Sequence, residues 1–225
     1  LTSDFFPTDP LCSLYSRGAQ GNVNNISTVR DSFINVNSQK NRGVDVTVRI
    51  DQELPKNWGD IQIVSQMTWQ LEDNIALFAG TTENLNGEAG EPKYTGDLNF
   101  IWEKDSWSFL WSIDYFGSTS DLEDFSNATG SADGCGIADT SHVAPYCVDV
   151  YAERKIYNSA SIAKTFNDDQ IKLVVGVANL FDTEPPRISE YGINRRQSPT
   201  VGSVPYQSQY DFVGRRVFVN LKAFF

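Results

Sequence analysis

The sequence predicts an all-β chain: an antiparallel up-and-down sheet, the wall of a transmembrane β-barrel. Three observations lead there. Apolar residues recur at every second position in seven separate segments, which is the period of a strand and not of a helix. The links between segments alternate in length, short then long. Rings gather near the segment ends, where a barrel wall meets the two membrane surfaces.

The segments follow in chain order. GVDVTVRI sets Val44, Val46, Val48 and Ile50 against Asp45, Thr47 and Arg49, and extends back through FINVNSQ. DIQIVSQMTWQL sets Ile61, Ile63, Met67, Trp69 and Leu71 against Gln62, Gln66, Thr68 and Gln70. TGDLNFIWE sets Leu98, Phe100 and Trp102 against Asp97 and Asn99. SWSFLWSIDYF sets Trp107, Phe109, Trp111, Ile113 and Tyr115 against Ser106, Ser108, Leu110, Ser112 and Asp114. SASIAKTF and IKLVVGVANLF alternate less cleanly. The last segment, RRVFVNLKAFF, carries Val217, Val219, Leu221, Ala223 and Phe225 on one face.

Short turns are expected at 52–59, 103–105 and 167–170, and long links at 73–93, 117–150 and 182–211. Long structureless loops count against a compact soluble domain. Short turns on one side and long loops on the other match an outer-membrane barrel. Periodicity alone leaves a soluble β-sandwich open, because there too one face is apolar, covered by a second sheet. Strand lengths near the ~9–11 residues that cross a bilayer favour lipid. So do the positions of Trp58, Trp69, Trp102, Trp107 and Tyr115, and an opposite face of Gln, Ser, Thr and Asp.

Composition closes other routes. A net charge of −11, from 29 acidic and 18 basic residues, argues against nucleic acid as a partner. No apolar run approaches the ~18 residues of a membrane helix. The start, LTSDFFPTDPLCSL, has neither an initiator methionine nor a signal-peptide pattern, so the expectation is a piece of a longer chain. Cys135 and Cys147 bracket a polar loop that a disulfide would staple, and Cys12 is left over. No enzyme is expected. His142 is the sole histidine and has no catalytic signature around it. Asp121, Glu123 and Asp124 offer oxygen ligands, but in no known calcium-loop spacing, and read as a solvated acidic surface. Neither metal nor cofactor is expected. Lys164, on an apolar face near the short-turn end, would extend to the membrane interface.

Three stretches resemble one family. GRRVFVNLKAFF is similar to the last strand of a TonB-dependent outer-membrane receptor. GVANLFDTEPP is similar to that family's penultimate strand and the loop after it, and NVNSQKNRGVDVTVRI to a strand preceded by a basic stretch. The resemblance implies the C-terminal part of a barrel of about 22 strands around a plug, with 1–30 a remnant of an extracellular loop and 31–225 the barrel segment. It implies import of a scarce solute, a ferric siderophore or an oligosaccharide, across the outer membrane of a Gram-negative cell, the long loops facing outward. The plug, absent from this sequence, would couple to the TonB complex. Val217, Val219, Leu221, Ala223 and Phe225 resemble the signal read by the barrel-assembly machinery. DPLCSLYSR resembles a loop whose cysteine pairs further upstream, which would account for Cys12. Lipid and lipopolysaccharide are the implied surroundings.

Candidate ligand contacts are Tyr191, Arg195, Arg196, Tyr206 and Tyr210. Arginine forks suit carboxylate or phosphate, and tyrosine rings suit sugar faces or aromatic chelators. Lipopolysaccharide contact or loop packing accounts for the same residues equally well. Arg215 and Arg216, at the upper end of the last strand, are assigned to lumen or headgroup contacts. Two other readings stay open: a passive porin, and a soluble sandwich that binds ligand.

Overall fold

A computed structural model describes residues 14–17, 26–30, 38–76, 82–136, 146–167, 170–188 and 210–223. A small pair, β1 (Tyr15–Arg17) and β2 (Ile26–Val29), stands apart from the main sheet. The main sheet is built from β3 (Ser38–Glu53), β4 (Asp60–Ala76) with the short β5 (Thr82–Asn84) on its upper end, β6 (Tyr94–Lys104) and β7 (Trp107–Phe116). Above it the chain forms β8 (Thr119–Ser120), helix α1 (Leu122–Thr129), β9 (Cys135–Gly136), β10 (Tyr146–Cys147) and β11 (Tyr151–Ala152). It then returns as β12 (Lys155–Phe166), β13 (Ile171–Ala178) and β14 (Arg216–Ala223).

The long strands pair in the order β3-β4-β6-β7-β12-β13-β14, all antiparallel, so each lies beside its neighbour in sequence. All seven expected strands are present in the expected order. The sheet is open: among the described residues nothing pairs beyond β3 or β14. Closure into a barrel is therefore not seen here, and the backward extension of β3 through 33–37 lies outside the described residues.

The connections alternate as expected. β3 and β4 are joined through a 3-10 turn at Pro55–Asn57, β6 and β7 by Asp105 and Ser106, and β12 and β13 by 167–170. Lys56, Asn57, Asp105 and Asn167 take positive φ in these turns, a conformation Asn and Asp tolerate best among residues with a Cβ. The long links are less plain than expected. That between β7 and β12 carries α1, a disulfide-closed pair β9–β10, and β11 laid antiparallel on β8.

Register sorts the side chains onto two faces, since directly opposed residues share a face. One row runs Ile50–Ile63–Phe100–Trp111–Ala160–Val177–Val217 across all seven strands. The next rows are alike, with Val46–Met67 and Ile162–Val175–Val219. This apolar face is uncovered: Val217 is 71% exposed, Leu221 69% and Met67 55%. The opposite face pairs Thr47 with Gln66, Gln66 with Asp97, Asp97 with Asp114 and Ser112 with Ser159. There Thr68 donates to Asp45 at 2.6 Å, and Gln62 to Asp51 at 2.8 Å.

The molecule's core lies elsewhere. Ala89, Phe125, Val150, Ala152 and Ile188 are each about 1% exposed, and every one belongs to the long links above the sheet. A soluble sandwich buries its apolar sheet face. Here that face is bare and the packing is in the loops.

Candidate functional site

The long-link end combines a packed lobe with a cavity beneath it. Its lobe is assembled from segments remote in sequence. The Ser120 amide donates to Gly87 O at 2.9 Å, the Asp121 amide to Val150 O at 3.0 Å, and the Ala89 amide to Asp121 Oδ1 at 2.7 Å. Ala89, Ala152 and Ile188 close the apolar centre of these contacts. Asp121 is only 1% exposed. Its expected role as a solvated acidic residue is overturned: it lies just before α1 and ties the 85–93 link to the 117–136 link. Glu123 is exposed. Helix α1 ends at Gly130, whose φ of 74° supplies the left-handed turn and whose amide returns to Ser126 O.

Cys135 and Cys147 are joined, with their Cα atoms 4.0 Å apart. The Val148 amide donates to Gly134 O at 2.9 Å just outside the bridge. The disulfide therefore joins β9 and β10, which pair at the cysteines themselves.

Below the lobe, on the polar face, lies a cavity of about 420 Å³. Strands supply Asp114, Tyr157, Ser159 and Arg216 to its wall; the links supply Asn179, Tyr210 and Asp211. Phe116 organises the aromatic side, with the Tyr157 ring edge-on at 6.1 Å and the Tyr210 ring at 5.7 Å. Asp211 holds the returning chain in place. It accepts from Arg216 Nη1 at 2.6 Å, from the Val213 amide at 2.9 Å and from the Gly214 amide at 3.2 Å. Burial works against its ionisation, but these donors outweigh that and hold its pKa below the ordinary carboxylate value. Asp182 accepts from the Arg215 amide at 2.8 Å. Asn179, almost wholly buried, donates to Thr183 O at 3.0 Å and accepts from the Thr183 amide at 2.8 Å. Both Asn179 and Asp182 take positive φ, so the NLFDT stretch is a built turn that launches the last long link.

Of the expected ligand contacts, Tyr191, Arg195, Arg196 and Tyr206 lie outside the described residues, as do Cys12 and His142. Tyr210 is 4% exposed, set in the cavity wall against Phe116. Arg216 faces the polar side, and Arg215 binds the turn through its backbone. Val217, Val219, Leu221 and Ala223 share the uncovered apolar face; Phe225 is outside the described residues. Asn179, Asp182 and Asp211 were not singled out from sequence. Their signal was Asn and Asp beside strand ends, which marks turns without saying what the turns hold together.

No family model matches the chain, and no curated protein does. Among solved structures it is similar to the siderophore receptor PirA from Acinetobacter baumannii, at 17% identity and a TM-score of 0.48. The match covers 94% of this chain and 26% of that one, so the chain spans about a quarter of that receptor's length. A likeness of that size says nothing about what this chain binds.

Proposed function

We propose that the chain is the C-terminal barrel wall of a TonB-dependent outer-membrane receptor. It would import a ferric siderophore or an oligosaccharide, with the long links outside the cell and no catalytic step. The observation that carries this reading is the bare apolar face. A contiguous apolar surface of this extent marks a partner or a membrane, and polar side chains within its middle are paired inside the sheet. Ser65 donates to Asp97 O at 3.0 Å, and Asn158 accepts from Trp111 Nε1 at 3.2 Å. Such internal pairing is what hydrocarbon demands, because it offers no hydrogen-bond partner.

Aromatic residues frame the apolar band at both ends. Tyr94 and Trp69 stack at one end, with ring centroids 5.9 Å apart, and Trp102 donates to Trp58 O at the other. Tyr94 and Trp102 stand eight positions apart in β6. That is about 27 Å along the strand, or ~21 Å once tilted by ~40°, against an apolar band of ~25 Å in such barrels.

Mechanism follows from placement. The ordered lobe and the cavity beneath it would meet solute arriving from outside, and the polar face would line the path. The wall itself supplies no energy. Coupling to the TonB complex would run through a plug outside this chain, and insertion would use the apolar positions of β14. Lipid and lipopolysaccharide would cover the other face.

The test is energised uptake by cells making the full-length protein. Accumulation of solute should stop when the proton-motive force is collapsed or TonB is deleted. Uptake that persists under both conditions supports a passive porin instead. A full-length protein that is soluble and monomeric without detergent removes both.

A further inference from the structure

The apolar face carries cations without a carboxylate partner at one place among the described residues: at its long-link end Lys40 and Arg42 are paired with Glu72. Between the register shift at Arg42 and Gly43 and the short turns, the described strand positions on this face hold no carboxylate, and the two cations are Lys104 and Lys164. Both stand at the short-turn end, and both are directly opposite Trp107, one on each side. With strands ~4.8 Å apart, their Cα positions are about 10 Å from one another, within joint reach of one small group held over the indole. Lys164 Nζ already lies 4.4 Å from the Trp107 ring centroid and 5.2 Å from that of Phe166. Neither lysine has a carboxylate at ion-pair distance among the described residues. The polar face at the same end is different: Lys172 and Lys222 oppose each other there, and Asp51 and Glu103 share that side.

Two uncompensated ammonium groups at the border of a hydrocarbon-facing band need an anion that itself sits at that border. A phospholipid phosphate does, its acyl chains continuing over Phe109, Ile162 and Leu173. Ring contact fixes the Lys164 stem while leaving its N–H groups free to donate. On the barrel reading above, on which this rests, we propose that Lys104, Trp107 and Lys164 form a binding site for the phosphate of an anionic phospholipid in the leaflet at the short-turn side. At the opposite, long-link border the cations Lys40 and Arg42 are already paired with Glu72, so that border is not such a site.

The test uses the full-length protein in detergent, titrated with phosphatidylglycerol or with phosphatidylcholine of the same chains, bound lipid being counted by native mass spectrometry. An interfacial lysine contributes about fivefold to anionic-lipid binding. The double variant Lys104→Gln/Lys164→Gln should lose about 25-fold in phosphatidylglycerol retention, and Lys172→Gln/Lys222→Gln, on the polar face, nearly none. The Lys104→Arg/Lys164→Arg protein should retain the lipid, and serves if the glutamine pair fails to fold. Equal retention of the two lipids by the wild type, or equal losses in the two glutamine pairs, overturns the site while leaving the barrel standing. A protein that needs no detergent overturns both.

Discussion

Asp211 shows how one residue can govern a long link. It gathers the Arg216 guanidinium and two amides at the point where the chain re-enters the sheet. Its folded pKa is lowered, so the contribution is complete above the unfolded value of about 3.9 and is lost as pH falls through the lower folded value. Pepsin cleavage within the 179–215 link should therefore rise as pH drops below about 4. In Asp211→Asn that link should already be cut faster above pH 4, with little further change below it. Gly176 makes a second case. A Cβ there would strike the Phe218 ring and come within 2.7 Å of Ser161 Cβ, so Gly176→Val should cost about 1–3 kcal/mol by overpacking, read as a lower midpoint of denaturant unfolding. Neighbouring positions should also differ by face. Val48→Lys, near the middle of the apolar face, should cost about 2–4 kcal/mol in vesicles. Thr47→Lys, on the polar face, should stay within ~0.5 kcal/mol.

Among the elements, the hairpin β3–β4 and the β7–β12 link stand out. β3 and β4 run 16 and 17 residues, beyond the ~11 that cross a bilayer. They continue into the long-link side past a register shift at Arg42 and Gly43, where Lys40 and Arg42 both meet Glu72. That shift was not visible in sequence, because the residues beyond it, Ser38–Arg42 and Glu72–Asn74, are polar and show no alternation. Nor was α1: Phe125 was one apolar residue in a polar stretch until the lobe closed over it. The Cys135–Cys147 spacing was readable, and the bridge closes a short loop. Removing it should cost up to about 3 kcal/mol in the chain-entropy account. In Cys135→Ser/Cys147→Ser, amide exchange should accelerate in 130–150, while the β12–β13 pairing stays protected. Accelerated exchange in the strands would show that the lobe supports the sheet.

For the whole molecule the governing fact is an inverted arrangement of polarity. The sheet is bare on its apolar side, and the buried residues cluster in links at one end. A soluble protein arranged so would aggregate through that face. In a bilayer the same surface is at rest. The open borders at β3 and β14 bear on stability as well, since unpaired strand edges recruit further strands. The full-length protein in detergent should resist unfolding as one unit. Residues 38–223 expressed without other strands should require refolding and should form higher oligomers, as light scattering would read. A monomeric, cooperatively melting product in water would contradict the membrane assignment.

Seven strands, their order, the alternation of turn and link, and the chemistry of each face were legible in the chain itself, because a period of two needs nothing beyond neighbouring residues to be seen. Which surface stays uncovered was not, since alternation reads the same beneath a second sheet as beneath lipid. That, the lobe held by Asp121, the clasp of Asp211 on Arg216 and the flanking of Trp107 by Lys104 and Lys164 arise from residues brought together across tens of positions. Only pairing register and loop packing decide such meetings.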